Sequence, residues 1–334
     1  MDRNKTGQYS NPFKATVKGI IDLFRKQKNV VTLCDDDRLE GRNVLITGAS
    51  SGLGFEAAVQ LAERGANVFM ACRSGIPEKG EKVKQLAGSD NVQMLWVDLS
   101  DMESIKRLVN ELNSNSIKLD ILVCNAAVVP SRSRRTLQGV EEMFMVNYLA
   151  KYLLIRLLIE YHVMHFEGYL IPRIIFVSSE SHRNPKAFDW ENFGKYKYYS
   201  MGKTIELYGY YKLLMTTFAN ELSRRLNTGA RTKCSVFALC PGPVNSNIAR
   251  EAPAIFKPLL KLVFSVFFKS PRKAVKPVVY FSCSGKAEGR TIDYLFLMSR
   301  KEMDEKAVSE ENGRILWEYT ENFLKEYGFR FQSL

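Results

Sequence analysis

Tyr199 and Lys203 lie four positions apart, and so do Tyr208 and Lys212, within the stretch YYSMGKTIELYGYYK. Residues four apart share one face of a helix. A phenol beside an ammonium is a proton donor and acceptor usable near neutral pH, because the positive charge favours the phenolate. Upstream, IIFVSSE closes an apolar run with two hydroxyls, Ser178 and Ser179. A hydroxyl, a phenol and an ammonium can together orient an oxygen and move a proton to or from it. Which pair does so depends on the elements around it.

Those elements alternate between strands and helices. Apolar runs mark strands at Asn43–Thr47, Asn67–Cys72, Val92–Val97, Leu119–Cys124, Arg173–Val177 and Cys234–Leu239, with helical spacing between them, as in Phe55–Arg64. Strands that are apolar throughout are covered on both faces. The pattern predicts an α/β fold, a doubly wound and mostly parallel sheet with helices on both faces. Residues 1–40 read as an N-terminal extension and 41–334 as one domain.

Between the first strand and the first helix lies TGASSGLG, Thr47 to Gly54. Gly48, Gly52 and Gly54 let the backbone turn tightly and approach a pyrophosphate, with Ser50, Ser51 and Leu53 in the same turn. The helix N-terminus then faces the negative charge. In this strand–turn–helix setting the turn predicts dinucleotide binding. After the second strand the chain offers Arg73 and no acidic residue until Glu78. An acid there would hold the ribose 2′-hydroxyl of NAD, whereas an arginine pairs with a 2′-phosphate. NADP(H) is expected in preference to NAD(H).

The spacing Gly-x-x-x-Gly-x-Gly, with the motifs that follow it in order, resembles the short-chain dehydrogenase/reductase family from about residue 41 to about residue 289. The resemblance implies a Rossmann-like fold and an oxidoreductase that interconverts an alcohol and a carbonyl. It implies that Asp98 and Leu99 contact the adenine. It implies that Asn125 and Ala126 line the cofactor, in a CNAA segment where the family usually carries Asn-Asn-Ala-Gly. Cys124 and Ala127 depart from that pattern. Ser179 would point at the substrate carbonyl and Ser178 would support the cofactor side. Asn147 would help hold a water next to the catalytic lysine. CPGPVNSNI would bring Pro241, Gly242, Val244 and Ser246 to the cofactor, with serine in the place of the family's threonine.

The tyrosine can now be chosen. In the family the catalytic lysine is followed by a long amphipathic helix carrying Glu-Leu-x-Arg-Arg-Leu. Lys212 is followed by LLMTTFANELSRRL. Gly202 weakens helix at the first pair by roughly 1 kcal/mol against alanine. Tyr208 and Lys212 are the expected catalytic pair. Lys212 would lower the phenol's pKa and bond the nicotinamide ribose. Tyr199 is expected on a loop over the substrate.

Two segments would flank that substrate. Residues 181–207 carry SHRNPKAFDWENF and a tyrosine cluster, similar to insertions in retinol dehydrogenase-like members and in the WW-domain-containing oxidoreductase. Phe188, Trp190, Phe193, Tyr196, Tyr198 and Tyr199 either wall an apolar pocket or pack the loop on the core. Residues 246–272 include the apolar stretch Leu259–Phe268 between Lys257 and Lys269. It is too short and interrupted to span a bilayer, and reads as a gating helix or a shallow membrane contact. Phe13, Val17, Ile20, Ile21 and Phe24 give the extension a basic amphipathic helix, either at a membrane surface or packed on the domain. The substrate class these features suggest is lipophilic: a retinoid, a steroid or another lipid. A catalytically silent dinucleotide-binding scaffold and a light-dependent pigment reductase, suggested by LVCNAAV, stand as alternatives.

Composition narrows the partners. The chain has 334 residues and a net charge of +12, which favours a phosphate-bearing cofactor or an acidic membrane. The charge forms no strong local run, so nucleic acid is not expected. Six scattered cysteines without Cys-x-x-Cys read as reduced thiols of a cytoplasmic compartment. No signal peptide is visible. His162 and His165 have no cysteine or acidic cluster beside them, and no metal site is expected. The oligomeric state stays open, a homodimer included.

Overall fold

The computed structural model describes residues 29–168, 170–242 and 270–334. The basic helix about Phe13–Phe24, the positions Val244 and Ser246, and the Leu259–Phe268 stretch lie outside the described residues.

Eight strands form one sheet: β1 (Asn43–Thr47), β2 (Asn67–Cys72), β3 (Val92–Trp96), β4 (Ile121–Cys124), β5 (Arg173–Val177), β6 (Ser235–Cys240), β7 (Ile292–Phe296) and β8 (Ser299–Arg300). Their order is β3-β2-β1-β4-β5-β6-β7-β8. The first seven run parallel and β8 pairs antiparallel with β7. The helices in chain order are α1 (Gly52–Ala62), α2 (Glu78–Ala87), α3 (Met102–Ser114), α4 (Glu142–Phe144), α5 (Ala150–Glu160), α6 (Met201–Leu226), α7 (Pro271–Ala274), α8 (Lys276–Cys283), α9 (Glu305–Val308) and α10 (Glu310–Glu326). A π-helical turn, Met145–Leu149, joins α4 to α5. This is a doubly wound, Rossmann-like α/β fold.

Strands β1, β2, β4, β5 and β6 are almost wholly buried because each face meets helices. Leu45, Leu122, Ile174 and Val236 point into one core, which includes residues of α3, α5, α6 and α10. Their neighbours Val44, Val123, Ile175 and Phe237 point into the other, with α1 and α8. Strand β1 has β2 on one side and β4 on the other. The winding reverses there, which opens a crevice at the C-terminal strand ends, the usual ligand position in such sheets.

The helices differ from expectation at two starts. Helix α1 begins at Gly52 rather than Phe55, so the glycine turn supplies its first turn. Helix α6 begins at Met201 and includes Gly202 and Lys203. A glycine in a first turn breaks no intrahelical N–H bond, so its propensity penalty does not stop the helix there. The Thr204 hydroxyl also fastens this end to the Pro130 carbonyl at 3.1 Å.

Candidate active site

The C-terminal end of β1 is built for close approach. Gly48 has φ +68° and Gly52 φ +57°, which glycine adopts without strain. A Cβ on Gly54 would lie 2.4 Å from the Gly48 carbonyl oxygen and 2.5 Å from Asn125 Nδ2. Ser51 heads α1 in an extended conformation, and its hydroxyl makes no capping bond. Helix N–H groups left uncapped by a side chain carry partial positive charge and suit an anion. Asn125 ties β4 to β1: its Nδ2 donates to the Thr47 carbonyl at 3.0 Å and the Gly48 carbonyl at 3.2 Å. The backbone N–H groups of Asn125 and Ala126 donate to Thr47 Oγ1 at 3.0 and 3.2 Å. This cradle fits a pyrophosphate.

Farther along the strand ends, Asp98 accepts from the Ser100 N–H at 2.9 Å and the Ser100 hydroxyl at 2.7 Å, with Leu99 buried beside it. Arg73 Nη1 stands 3.8 Å from Asp98 and is 56% exposed. So loose and solvated a pair contributes about 0–1 kcal/mol, and the guanidinium is free to turn to a phosphate. Pro241 and Gly242 follow β6, Gly242 with φ +78°.

The catalytic candidates gather past β5. Ser179 heads a 3₁₀ turn, Glu180–Arg183, and its hydroxyl accepts from the Ser181 N–H at 3.2 Å. Helix α6 crosses this turn at Gly209, where a Cβ would lie 2.8 Å from the Ser181 carbonyl oxygen. The adjacent Tyr208 lies near enough to Ser179 for the serine hydroxyl to favour its phenolate. Lys212, one turn along, is buried; its Nζ donates to the Val177 carbonyl at 2.7 Å and lies 5.5 Å from the Tyr208 ring centroid. Ser178 departs from the role the resemblance implied. Its hydroxyl turns into the sheet–helix interface, 2.8 Å from Thr216 Oγ1, which itself bonds the Lys212 carbonyl at 2.8 Å.

Burial dominates the titration of this cluster. It pushes Lys212 down to about 7, helped by repulsion from Lys151. It pushes the Tyr208 phenol well above its ordinary value, with Cys240 adding to the rise and the Ser179 hydroxyl opposing it. The expected lowering of the phenol by Lys212 is not found. The ammonium bonds the Val177 carbonyl and lies 5.5 Å from the ring centroid, and desolvation of the phenol outweighs whatever it contributes.

The other pair does not assemble. Tyr199 is buried just before α6, its hydroxyl donating to Glu141 Oε1 at 2.8 Å, while Lys203 is exposed. Phe188 stacks on Trp190 at 4.5 Å, Trp190 meets Tyr319 of α10 at 5.6 Å, and Phe193 meets Phe144 and Phe323. These three pack the 181–207 segment on the core. Tyr196 lies under Arg135, beside the exposed Tyr198.

Asn147 sits in the π-helical turn with both ends of its amide on Val128: Oδ1 accepts from the N–H at 2.8 Å, and Nδ2 donates to the carbonyl at 2.9 Å. Two further residues carry no recognisable motif. His182 is fully buried, with Nδ1 2.6 Å from the Ser179 carbonyl and Nε2 accepting the Asp304 N–H at 3.3 Å. Those partners define a neutral imidazole with its proton on Nδ1. Burial, with Arg183, pushes its pKa down to about 4. Lys151 donates to the carbonyls of Ala126 and Val146 at 2.8 and 2.7 Å. Its position four residues after Asn147 is the one sequence signal that it shares that face.

A sheet switch point with a glycine cradle on one side and a serine, tyrosine and lysine on the other defines a dinucleotide-dependent oxidoreductase. Comparison with known proteins agrees. The short chain dehydrogenase family matches residues 42–191. Retinol dehydrogenase 14 of Mus musculus is 32% identical over 86% of this chain and 87% of its own length. The WW domain-containing oxidoreductase of Homo sapiens is 30% identical over 95% of this chain and 75% of its own. The Pseudomonas aeruginosa RhlG/NADP active-site complex superposes with TM-score 0.59 at 20% identity, covering 80% of this chain and 98% of that one. A short-chain type dehydrogenase/reductase from Mycobacterium marinum gives TM-score 0.59 at 18% identity, over 78% and 96%. At those identities the two structures speak for the fold alone. The chain belongs to the short-chain dehydrogenase/reductase family, whose members bind NAD(P)(H).

Proposed function

We propose that the protein uses NADP(H), in preference to NAD(H), to interconvert an alcohol and a carbonyl on a lipophilic substrate such as a retinoid, a steroid or another lipid. The observation that carries this reading is the convergence of Ser179, Tyr208 and Lys212 at the sheet edge that also bears the Gly48–Gly54 cradle. When bound, the nicotinamide nucleotide supplies the hydride donor or acceptor. Tyr208 gives its proton to the carbonyl oxygen in reduction and takes it back in oxidation. Its burial keeps the phenol protonated at neutral pH, so donation is the step for which it is poised. Ser179 orients the oxygen, and Lys212 holds the ribose and supports the phenolate as it forms. Asn147, fixed through Val128, helps hold a water next to Lys212. Gly48, Ser50, Ser51, Gly52, Leu53 and Gly54 cradle the pyrophosphate. Asp98 and Leu99 take the adenine, and Asn125, Ala126, Pro241, Gly242, Val244 and Ser246 line the remainder. The retinol dehydrogenase named among the relatives supports the substrate class.

The test is reduction of all-trans-retinal, followed at the nicotinamide absorbance with NADPH and with NADH. NADPH should be the better donor, and no turnover with retinal, steroid ketones or aliphatic aldehydes would overturn the substrate class. Arg73→Ala should weaken NADP(H) by roughly 1.5–3 kcal/mol, the scale of a charged hydrogen bond, and leave NAD(H) unchanged. Equal losses for both would show that Arg73 does not read the phosphate.

Among the described residues no helix is long and apolar enough to cross a membrane. The charge of +12 supports a peripheral contact with an acidic membrane instead. The protein should then sediment with anionic vesicles at low salt and leave them at high salt. Failure to bind at low salt would remove the membrane from the proposal.

A further inference from the structure

The turn that carries Ser179 is fastened by a side chain to which the proposed chemistry gives no part. The Ser179 carbonyl accepts twice from one residue, His182: from its backbone N–H at 3.1 Å and from its ring Nδ1 at 2.6 Å. The first bond is the ordinary closure of a 3₁₀ turn. The turn does not require the second. On the far side of the ring, Nε2 accepts the Asp304 N–H at 3.3 Å, and Asp304 caps α9, which packs on α6. The imidazole is fully buried and meets the Tyr294 ring of β7 edge-on, with centroids 5.6 Å apart. Tyr294 in turn donates its hydroxyl to Glu180 Oε1 at 2.7 Å, and Lys301 bonds the other oxygen of that carboxylate. The imidazole is therefore packed and bonded on both sides, between the serine turn and the segment that leads into α9.

We propose that His182 is a positioning residue for Ser179: its Nδ1–H, by holding the Ser179 carbonyl, sets where the serine hydroxyl stands relative to the Tyr208 phenol. The inference rests on the roles given to Ser179 and Tyr208 above. Upstream of the serine, the Ser178 N–H is held by the Leu239 carbonyl at 2.6 Å. With the Ser179 carbonyl held downstream, the backbone on both sides of its Cα is fixed. The hydroxyl is then left only its rotation about χ1, and in the observed rotamer it accepts the Ser181 N–H at 3.2 Å. Both ring nitrogens of His182 are spent on backbone groups, so the imidazole passes no proton itself and its part is geometric. Mere filling of the space is a poorer account. An apolar side chain would fill it without the cost of burying two polar nitrogens.

Two amides separate the two bonds of the ring. The amide of asparagine sits where Nδ1 does, one bond past Cγ, and that of glutamine sits where Nε2 does, one bond further. His182→Asn therefore keeps a donor for the Ser179 carbonyl and gives up the Asp304 N–H, while His182→Gln keeps an acceptor for Asp304 and gives up Ser179. Each loses one hydrogen bond to backbone, so the full-length variants should melt at similar temperatures. Their turnover should differ. With NADPH and all-trans-retinal, or a generic quinone where retinal is not turned over, His182→Gln should lower kcat by about 10–10²-fold, the cost of a misplaced catalytic group. His182→Asn should recover all but about threefold of that loss, and NADPH affinity by nucleotide fluorescence should stay within about threefold in both, less than the worth of a hydrogen bond. His182→Met fills the space of the ring and donates nothing, so it repeats the test where glutamine impairs folding. In a Ser179→Ala background, His182→Gln should cost less than about twofold more, because no hydroxyl is left to position. Equal kcat in the asparagine and glutamine variants would overturn the proposal, since the Nδ1 donor would then not set the rate. So would a glutamine loss that persists undiminished in the Ser179→Ala background. Full turnover in Ser179→Ala alone would remove Ser179 from the chemistry, and the proposed function together with this inference.

Discussion

Tyr208→Phe should lower turnover by about 10²–10⁴-fold, the usual worth of a positioned general acid or base. The ring stays, so the packing of α6 stays, and NADPH affinity should hardly change. Tyr199→Phe is the informative partner because it removes an identical hydroxyl from a tyrosine that also has a lysine four residues on. Its hydroxyl is spent on Glu141, a buried carboxylate that accepts the N–H groups of Met143 and Phe144. Losing that bond should loosen the 181–207 segment and cost about 1.5–3 kcal/mol of stability, the range for a hydrogen bond to a charged group. Turnover should change far less than in Tyr208→Phe. Steady-state retinal reduction and thermal melting of the two variants separate the outcomes. If Tyr199→Phe abolished turnover and Tyr208→Phe did not, the proton would be carried nine positions upstream and the site would have to be rebuilt around Glu141.

The sequence discloses this arrangement unevenly, for physical reasons. Strands β1, β2 and β4 to β6 are readable because burial on both faces demands apolar runs, while the edge strand β3 leaves Gln93 and Trp96 exposed. Strand β7 escapes because Asp293 interrupts it, a charge made tolerable by Arg300 at 2.9 Å, which no linear pattern announces. The glycine cradle is legible because three closely spaced glycines answer one steric demand. The choice of Tyr208 over Tyr199 rests on Glu-Leu-x-Arg-Arg-Leu starting nine residues after Lys212, since one helix, α6, carries both lysines. The start of that helix is not legible, since Gly202 reads as a breaker until its place in the first turn is known. Lys151 is hidden for the opposite reason: a lysine in a helical stretch reads as solvent-facing until the fold puts its ammonium against two carbonyls. The acidity of Tyr208 depends on burial and on where the ammonium points, and spacing along a helix fixes neither.

Gly209→Ala should cost about 10–10²-fold in turnover although it favours the helix that contains it. Alanine is better than glycine in a helix interior by roughly 1 kcal/mol, so α6 gains locally. The methyl, however, would meet the Ser181 carbonyl oxygen at 2.8 Å. That oxygen belongs to backbone and cannot swing aside. It accepts the Asn184 N–H at 3.1 Å, and the same turn is held by His182 through the Ser179 carbonyl. The helix and the turn must therefore separate by a few tenths of an ångström, at the roughly 1–3 kcal/mol typical of overpacking. Tyr208 rides on the helix and Ser179 on the turn, so the separation opens the contact that sets their geometry. Misplacement approaching 1 Å is worth about 10²-fold. NADPH affinity should stay within about threefold, a change worth less than a single hydrogen bond, because the Gly48–Gly54 cradle does not depend on this crossing. Gly202→Ala on the same helix is the control. A Cβ there meets nothing within 4 Å, so it should gain the helix propensity and keep full turnover. Equal turnover in the two variants would show that the phenol and the hydroxyl do not owe their positions to the close crossing at Gly209.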